Sequence, residues 1–358
     1  MKNGCRHLFA GGVFYLFKKY KSIQIHRKLY FLYNNKMYYL IKRIILSIPI
    51  LFGITIITFF VMHLTPGKPT DLMTDMNVKV TAEAKERLQQ LYGLDKPIHI
   101  QYFDWIKRFV CFDFGDSFKD SRPARNKIFE RLPATILLNS LSLFFICLIA
   151  IPLGIYSAVK KDSFIDKGIT IILFISFSVP SFWLALIFMI LFGVHLGYLP
   201  ISGLYSFDFG NMSVLMKFFD LSKHLVLPVA VSVITSLAIL SRYTRSGMLD
   251  VLKQDYIKTA YAKGLNEKQV IIRHALKNAL LPLITIIGLS IPGLIGGSFI
   301  FETIFSYPGI GRLGYEAVMA RDYPVVMGIA TLTAVLTLLG NIVADILYTY
   351  ADPRIKYK

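Results

Sequence analysis

The seven histidines and three cysteines are the first residues to weigh as metal or redox groups. Cys5, Cys111 and Cys147 stand apart without Cys-x-x-Cys spacing, and no two histidines are four positions apart, so neither a disulfide framework nor a zinc site has a sequence signature. No Gly-x4-Gly-Lys-Ser/Thr loop occurs, so the chain lacks the backbone cradle and lysine that hold nucleotide phosphates. There is likewise no His-Glu-x-x-His, no Gly-x-Ser-x-Gly and no carboxylate pair inside an apolar run, which leaves an intramembrane enzyme without chemistry. What remains is one polar stretch, Asp255 to Pro282, carrying Lys258, Lys263, Lys268, Arg273 and Lys277 against only Asp255 and Glu267.

Its local signals are helical. Gly264 is placed to end a first helix in a left-handed conformation, Asn266 with Gln269 three residues on resembles a cap for a second, and Pro282 marks where the segment turns into the next apolar run. Two short helices meeting at a glycine form a surface suited to a partner's groove. The same pattern also describes an amphipathic interfacial helix held by phospholipid head groups.

The elements that position this stretch follow from composition. Hydrophobic residues make up 54% of the chain and the formal net charge is +18, with a mean hydropathy of +0.54. Apolar runs of about twenty residues recur, which excludes a soluble basic nucleic-acid binder and defines an all-α polytopic membrane protein. Residues 1–36 are basic and aromatic without an acidic residue; the patch Leu8 to Phe17 is too short to span and reads as part of a cytoplasmic extension. Six spans are expected at about Tyr39–Leu64, Ala134–Val159, Gly168–Leu196 (one long helix, kinked or tilted at Pro180), Leu225–Leu240, Leu280–Ile300 and Pro324–Tyr348. Residues 65–132 form an external helical segment, with Thr81 as an N-cap and an amphipathic run from Tyr102 to Val110. A core of five spans then covers residues 133–358.

Orientation comes from the short loops. Ten Lys and Arg lie between Lys2 and Arg43, before the first acidic residue, Asp71. Residues 242–282 hold eight Lys or Arg against three acidic residues, whereas residues 301–323 carry a net charge of minus one. By the positive-inside rule both termini and the 242–282 loop are cytoplasmic.

The stretch resembles the cytoplasmic loop of ABC-importer permeases, in which a Glu-Ala-Ala element, a following Gly and a later Leu-Pro form the coupling helix that sits on the ATPase subunit. Here the matching residues are Lys258-Thr259-Ala260, Gly264 and Leu281-Pro282. Lys258 stands for the Glu and Thr259 for the first Ala, and the spacing from Gly to Leu is longer. Those departures are similar to the dipeptide, oligopeptide and nickel branch, through Asp255-Tyr256, Thr259-Ala260, Ala262-Lys263-Gly264 and Arg273-His274-Ala275-Leu276. Further matches are Leu64-Thr65-Pro66-Gly67, Gly115-Asp116-Ser117, Arg131-Leu132-Pro133-Ala134-Thr135 and Pro180-Ser181-Phe182-Trp183. They continue through Gly296-Gly297, Glu302, Phe305, Pro308-Gly309-Ile310-Gly311, Arg321-Asp322-Tyr323-Pro324, Asn341, Asp345, Tyr348 and Asp352-Pro353-Arg354, so the resemblance covers residues 37–358.

The resemblance implies a type I ABC-importer permease of a bacterial cytoplasmic (inner) membrane. Tyr256, Lys258, Thr259, Ala260, Lys263, Gly264, Asn266, Arg273, His274 and Pro282 would then be its ATPase-coupling residues. Implied partners are a homologous second permease, two ABC ATPase subunits and an extracytoplasmic solute-binding protein. No cofactor is bound by this chain, and ATP and Mg sit on the ATPases. The expected solute is a peptide or a related small molecule; near relatives handle dipeptides, longer peptides, nickel chelates and glutathione-like molecules. Two other classes compete. An ion-coupled secondary carrier or channel, needing no ATPase partner, would require ionisable residues spread through several spans, and a membrane-anchored receptor or scaffold would need only the interfacial loop.

Pro180, Gly296, Gly297, Glu302, Asn341 and Asp345 are candidates for the solute path or for helix packing. Asp345 with Asn341 one turn earlier could line the path, or Asp345 could pair with Arg242 or Arg43 near the inner end of its helix. Glu302 could meet a cationic solute at the outer mouth or be a solvated helix-end carboxylate. Gly296 and Gly297 fit close helix approach better than ligand binding.

Overall fold

The computed structural model describes residues 41–64, 93 and 95–351. The N-terminal extension, the Thr81 region and the tail from Asp352 therefore lie outside the described residues. The chain divides into a unit of Met1–Phe52 with Pro353–Lys358 and a unit of Gly53–Asp352. Of the first, the described part is helical, with Ile44, Ile45 and Ile48 exposed.

The elements are all helical among the described residues: α1 (Ile41–Leu64), α2 (Ile98–Val110), α3 (Ala124–Val159), α4 (Phe164–Ser178), α5 (Ser181–Phe188), α6 (Val214–Leu252), α7 (Asp255–Ala262), α8 (Leu276–Ser290), α9 (Phe299–Ile304), α10 (Ile310–Met319) and α11 (Tyr323–Ala351). Helices satisfy every backbone polar group within the segment, which is the condition for crossing hydrocarbon. Four of them are long and apolar enough to do so: α1, α3, α6 and α11 through Asp345. Two bent pairs pass the same test, Phe164–Ser178 with Ser181–His195 and Glu267–Leu280 with Pro282–Leu294, which gives up to six candidate spans in the expected order.

Where the spans differ from expectation, the causes are local. The third run is broken, not kinked: its halves meet at 96°. Val179, preceding Pro180, is driven to the extended region (φ −81, ψ 124), and Pro180 itself is extended (φ −58, ψ 131), so two consecutive residues leave the helix. The fourth run, expected from Leu225 to Leu240, is a 39-residue helix that starts at Ser213, whose side chain accepts from Met216 N, and continues through Pro228. At 1.5 Å per residue it measures roughly 58 Å, about twice the ~30 Å hydrocarbon core. Lys217, Asp220 and Lys223 lie on its first turns, ahead of the expected start at Leu225. There Asp220 accepts from Ser206 N at 2.9 Å and from Ser206 Oγ at 2.5 Å, closing the connection from α5 onto the helix.

α3 and α6 form the spine. Ala150, Gly154 and Ala158 repeat at four-residue intervals on α3 and are buried, and a Cβ on Gly154 would come within 2.6 Å of the Ser241 carbonyl of α6. In a bilayer, small residues at this spacing let backbones approach and gain dispersion contacts. Around mid-spine, Leu138, Leu227, Val231 and Ala185 pack with Phe301, Phe305 and Tyr307. At the end where α3 begins, Ile128, Phe114, Ile310, Leu313 and Val325 form a second cluster, and at the other end Ala158, Met248, Ile257 and Val270 form a third.

Candidate functional site

The third cluster holds the basic stretch. α7 has Ile257 and Ala260 three residues apart on one face, and both are buried against Met248 of α6, Ala158 of α3 and the later Val270, Ala275 and Ala279. The other face carries Tyr256, Lys258, Thr259, Tyr261 and Lys263, all exposed. The helix ends on Gly264 at φ +77, with Leu265 N donating to Ala260 O (3.4 Å) and Gly264 N to Tyr261 O (2.9 Å). This is the double-bonded glycine terminus, completed by Leu265 packing in the same cluster as Ala260. Two residues on, Asn266 accepts from Gln269 N at 2.9 Å and starts the next helical segment.

That segment begins with the single turn Glu267–Gln269, passes through wider turns over Val270–Ala275 and enters α8. Arg273 is exposed and His274 half-buried, and Pro282 lies within α8 at the bend of the pair. Asn278 Nδ2 donates to Tyr256 Oη at 2.8 Å, tying α7 to α8. Lys258 Nζ donates to Asp255 Oδ1 at 2.8 Å. With side chains 71% and 94% exposed, that pair adds little stability.

Behind this platform lies a buried ion cluster that sequence reasoning missed. Asp166, in the first turn of α4 and 3% exposed, accepts from Arg245 Nε (2.9 Å) and Nη2 (2.7 Å) of α6, from Ser157 Oγ of α3 and from Asp162 N (3.0 Å). A two-pronged guanidinium with further donors is what makes a buried carboxylate tolerable. One side chain thereby joins α3, the α3–α4 turn, α4 and α6. Ser163 capping Asp166 N at 3.2 Å was the available local signal.

The expected path residues divide. Glu302 is 2% exposed, so it is not a solvated helix-end group. Its Oε2 accepts from Arg312 N at 2.8 Å and its Oε1 from Thr135 Oγ1 at 3.3 Å, while Thr135 Oγ1 accepts from Ile310 N at 2.8 Å. Burial pushes its carboxyl pKa up, and the donors around it do not reverse the shift. Gly297 and Gly309 leave room for this carboxylate, and Gly311 crosses the backbone of Gly297 and Ser298, so a Cβ at any of the three would collide. Gly296 is less crowded, its nearest foreign atom 3.8 Å from an added Cβ. Asn341 and Asp345 are half-buried on α11, and Pro180 forms the α4–α5 break.

A cavity of about 560 Å³ opens between α3, α6 and α8 and reaches Glu302. Pro180, Gly296, Gly297, Asn341 and Asp345 are not among its lining residues. The lining includes Asn139, Ser142, Ser232, Thr235, Ser236 and Ser290 instead. Asn139 Nδ2 donates to the carbonyls of Gly293 (3.4 Å), Leu294 (3.0 Å) and Gly296 (3.1 Å), pinning the tight helical turn Pro292–Leu294 and the residues that follow it after α8. These small polar residues recur every three or four positions and escaped notice because no single one carries charge.

At the far end of the spine, two distant motifs meet. Ser117 Oγ donates to Asp322 Oδ2 at 2.5 Å and Phe118 N to Asp322 Oδ1 at 3.0 Å, while Lys127 Nζ donates to Ser117 Oγ and to Asp120 Oδ2, both at 2.9 Å.

A multi-pass bundle with a buried-backed polar platform at one end and a hydroxyl-lined cavity between its helices has the build of a membrane transport subunit. The chain belongs to the binding-protein-dependent transport system inner membrane components, whose family model matches residues 150–357; the N-terminal model of such membrane components matches residues 36–139. It is 45% identical over 320 residues to the oligopeptide transport system permease protein AppB of Bacillus subtilis, covering 89% of this chain and 99% of that one. It is 40% identical to a dipeptide transport system permease protein DppB of Alkalihalophilus pseudofirmus and 37% identical to that of Escherichia coli, with the same coverage of each. Among solved structures, the methionine ABC transporter MetNI in inward-facing conformations matches 63% of this chain and 96% of its own at 17% identity, with a TM-score of 0.47. Membership of a binding-protein-dependent family answers the ion-coupled carrier alternative.

Proposed function

We propose that this chain is the permease subunit of an ATP-driven peptide importer, with both termini and the α7 platform on the cytoplasmic side. The observation that carries the coupling role is α7 itself: one face buried on the ends of α3 and α6, the other exposed, polar and ended by a stiff glycine turn. A lipid-anchored helix would turn its apolar face to the bilayer. Here that face is spent on the bundle, which leaves a polar surface for a protein partner.

Two ABC ATPases, a second homologous permease and a solute-binding protein complete the assembly in this reading. Closure of the ATPases on Tyr256, Lys258, Thr259, Lys263 and the Arg273–His274 turn displaces the platform, and the Asp166–Arg245 cluster passes that displacement to α4 and α6. Access then alternates between the two sides of the membrane. Peptide as solute is supported by the oligopeptide and dipeptide permeases to which the chain is similar.

The test is reconstitution of the full assembly in proteoliposomes. Uptake of a labelled dipeptide should require ATP and the binding protein, and Lys263→Glu, on the exposed face, should lower uptake per ATP hydrolysed. Uptake driven by a proton gradient without the ATPases would overturn the proposal.

A further inference from the structure

Several hydroxyls in the apolar helices are held by their own backbone. Ser176 donates to Ile172 O (2.8 Å), Ser178 to Phe174 O (2.9 Å), Thr244 to Leu240 O (2.8 Å) and Thr331 to Met327 O (2.6 Å). Ser142 on α3 does not follow this pattern. It is 5% exposed, its Oγ has no hydrogen-bond partner, and it lines the cavity between α3, α6 and α8. An unpaired buried hydroxyl is a standing cost to the fold, and a cavity beside it is where a partner would sit.

The surroundings define what that partner would be. Asn139 lies one turn before Ser142 on the same face of α3; its Nδ2 is committed to backbone carbonyls, and its Oδ1 takes no hydrogen bond from any described residue. Across the cavity, Ser232 and Ser236 share a face of α6. The one ionisable lining residue, Glu302, has both carboxylate oxygens occupied by Thr135 and the Arg312 N–H. The wall thus offers neutral donors and acceptors and no available charge. That is the chemistry of an amide group, which presents one N–H and one C=O, and the volume of about 560 Å³ lies within the range of small-molecule sites.

We propose that Ser142, with Asn139, Ser232 and Ser236, forms a solute-holding site inside the bundle that hydrogen-bonds the backbone amide of a short peptide in transit. The proposal rests on the peptide-import reading and adds a recognition step within this chain. Neutral hydroxyls read the backbone common to all peptides and leave side chains unread, so the site accepts many sequences.

The experiment uses the complete transporter in proteoliposomes, with alanyl-alanine as the probe at saturating loaded binding protein, and thermal unfolding of the same complexes. Ser142→Ala should cut uptake about three- to tenfold, the scale of one lost neutral hydrogen bond, while the unfolding temperature stays level or rises, because an unpaired buried hydroxyl has been removed. Ser142→Thr, which keeps the hydroxyl, should restore uptake. Wild-type uptake in Ser142→Ala would overturn the site. A fall of several degrees in its unfolding temperature would also overturn it, since the hydroxyl would then serve the fold through a resident water. Failure of the wild-type assembly to import the dipeptide at all would overturn both this site and the import reading.

Discussion

Glu302 shows how a single carboxylate organises backbone crossings. It sits where the segment after α8 passes the start of α10, and three glycines, Gly297, Gly309 and Gly311, supply the clearance. Its acceptors are matched by Arg312 N and a Thr135 hydroxyl that itself serves Ile310 N. Glu302→Gln keeps the shape and one acceptor, and Thr135 can rotate its hydroxyl to suit the amide. Glu302→Ala strands the Arg312 donor. Thermal unfolding of the purified permease should therefore place the alanine variant lower than the glutamine variant by about 1–3 kcal/mol, the cost of an unsatisfied buried group. Gly309→Ala should resemble Glu302→Ala, because its Cβ would occupy the carboxylate's position.

At the scale of elements, the α7 platform separates what stabilises it from what it offers. Ile257 is 1% exposed and Val270 fully buried, so they set the position of the helix, while Lys258 and Thr259 set its outward chemistry. Ile257→Ala should cost about 2–5 kcal/mol of local packing and uncouple ATP hydrolysis from uptake without removing any exposed group. Gly264 behaves differently. An added Cβ meets nothing within 4 Å, so Gly264→Ala carries only the left-handed backbone penalty of about 1–2 kcal/mol. A ratio of ATP hydrolysed to peptide imported, measured for both variants, should rise far more for Ile257→Ala. This platform was largely legible in the sequence, since the glycine terminus and the Asn266 cap are written within a few residues of each other. Lys258 was legible as a charge, but its contact with Asp255 shows that it is a solvated pair and not a fixed hook.

At the scale of the whole molecule, hydropathy located the four long apolar helices and the two bent pairs because it reports apolar composition, and it underestimated α6 because the polar residues at the ends of that 39-residue helix carry no apolar signal. The contacts that assemble the bundle are long in sequence: Ser117 meets Asp322 across 205 positions, and Arg245 meets Asp166 across 79. A single sequence shows both partners and cannot show the pairing. Asp166→Asn tests the larger consequence. Losing the buried charge opposite Arg245 should destabilise the complex by about 3 kcal/mol; added to the uptake assay, Asp166→Glu should recover less than half of the lost activity, because the longer side chain cannot keep the two-pronged geometry.

The unbroken run of α6 from Val214 to Leu252 sets a rule for the transport cycle. Asp220 near one end is bonded into the connection from α5, and Met248 near the other is buried under α7. A stiff rod pivoting in a membrane behaves as a see-saw: tilting that widens one mouth narrows the other. Helices interrupted partway, like the α4–α5 pair, would let two gates swing independently and admit a state with both ajar. With α6 as the common beam of the proposed cycle, opening one mouth would close the other, and the proton and ion leak of a doubly open state would be limited without a separate latch.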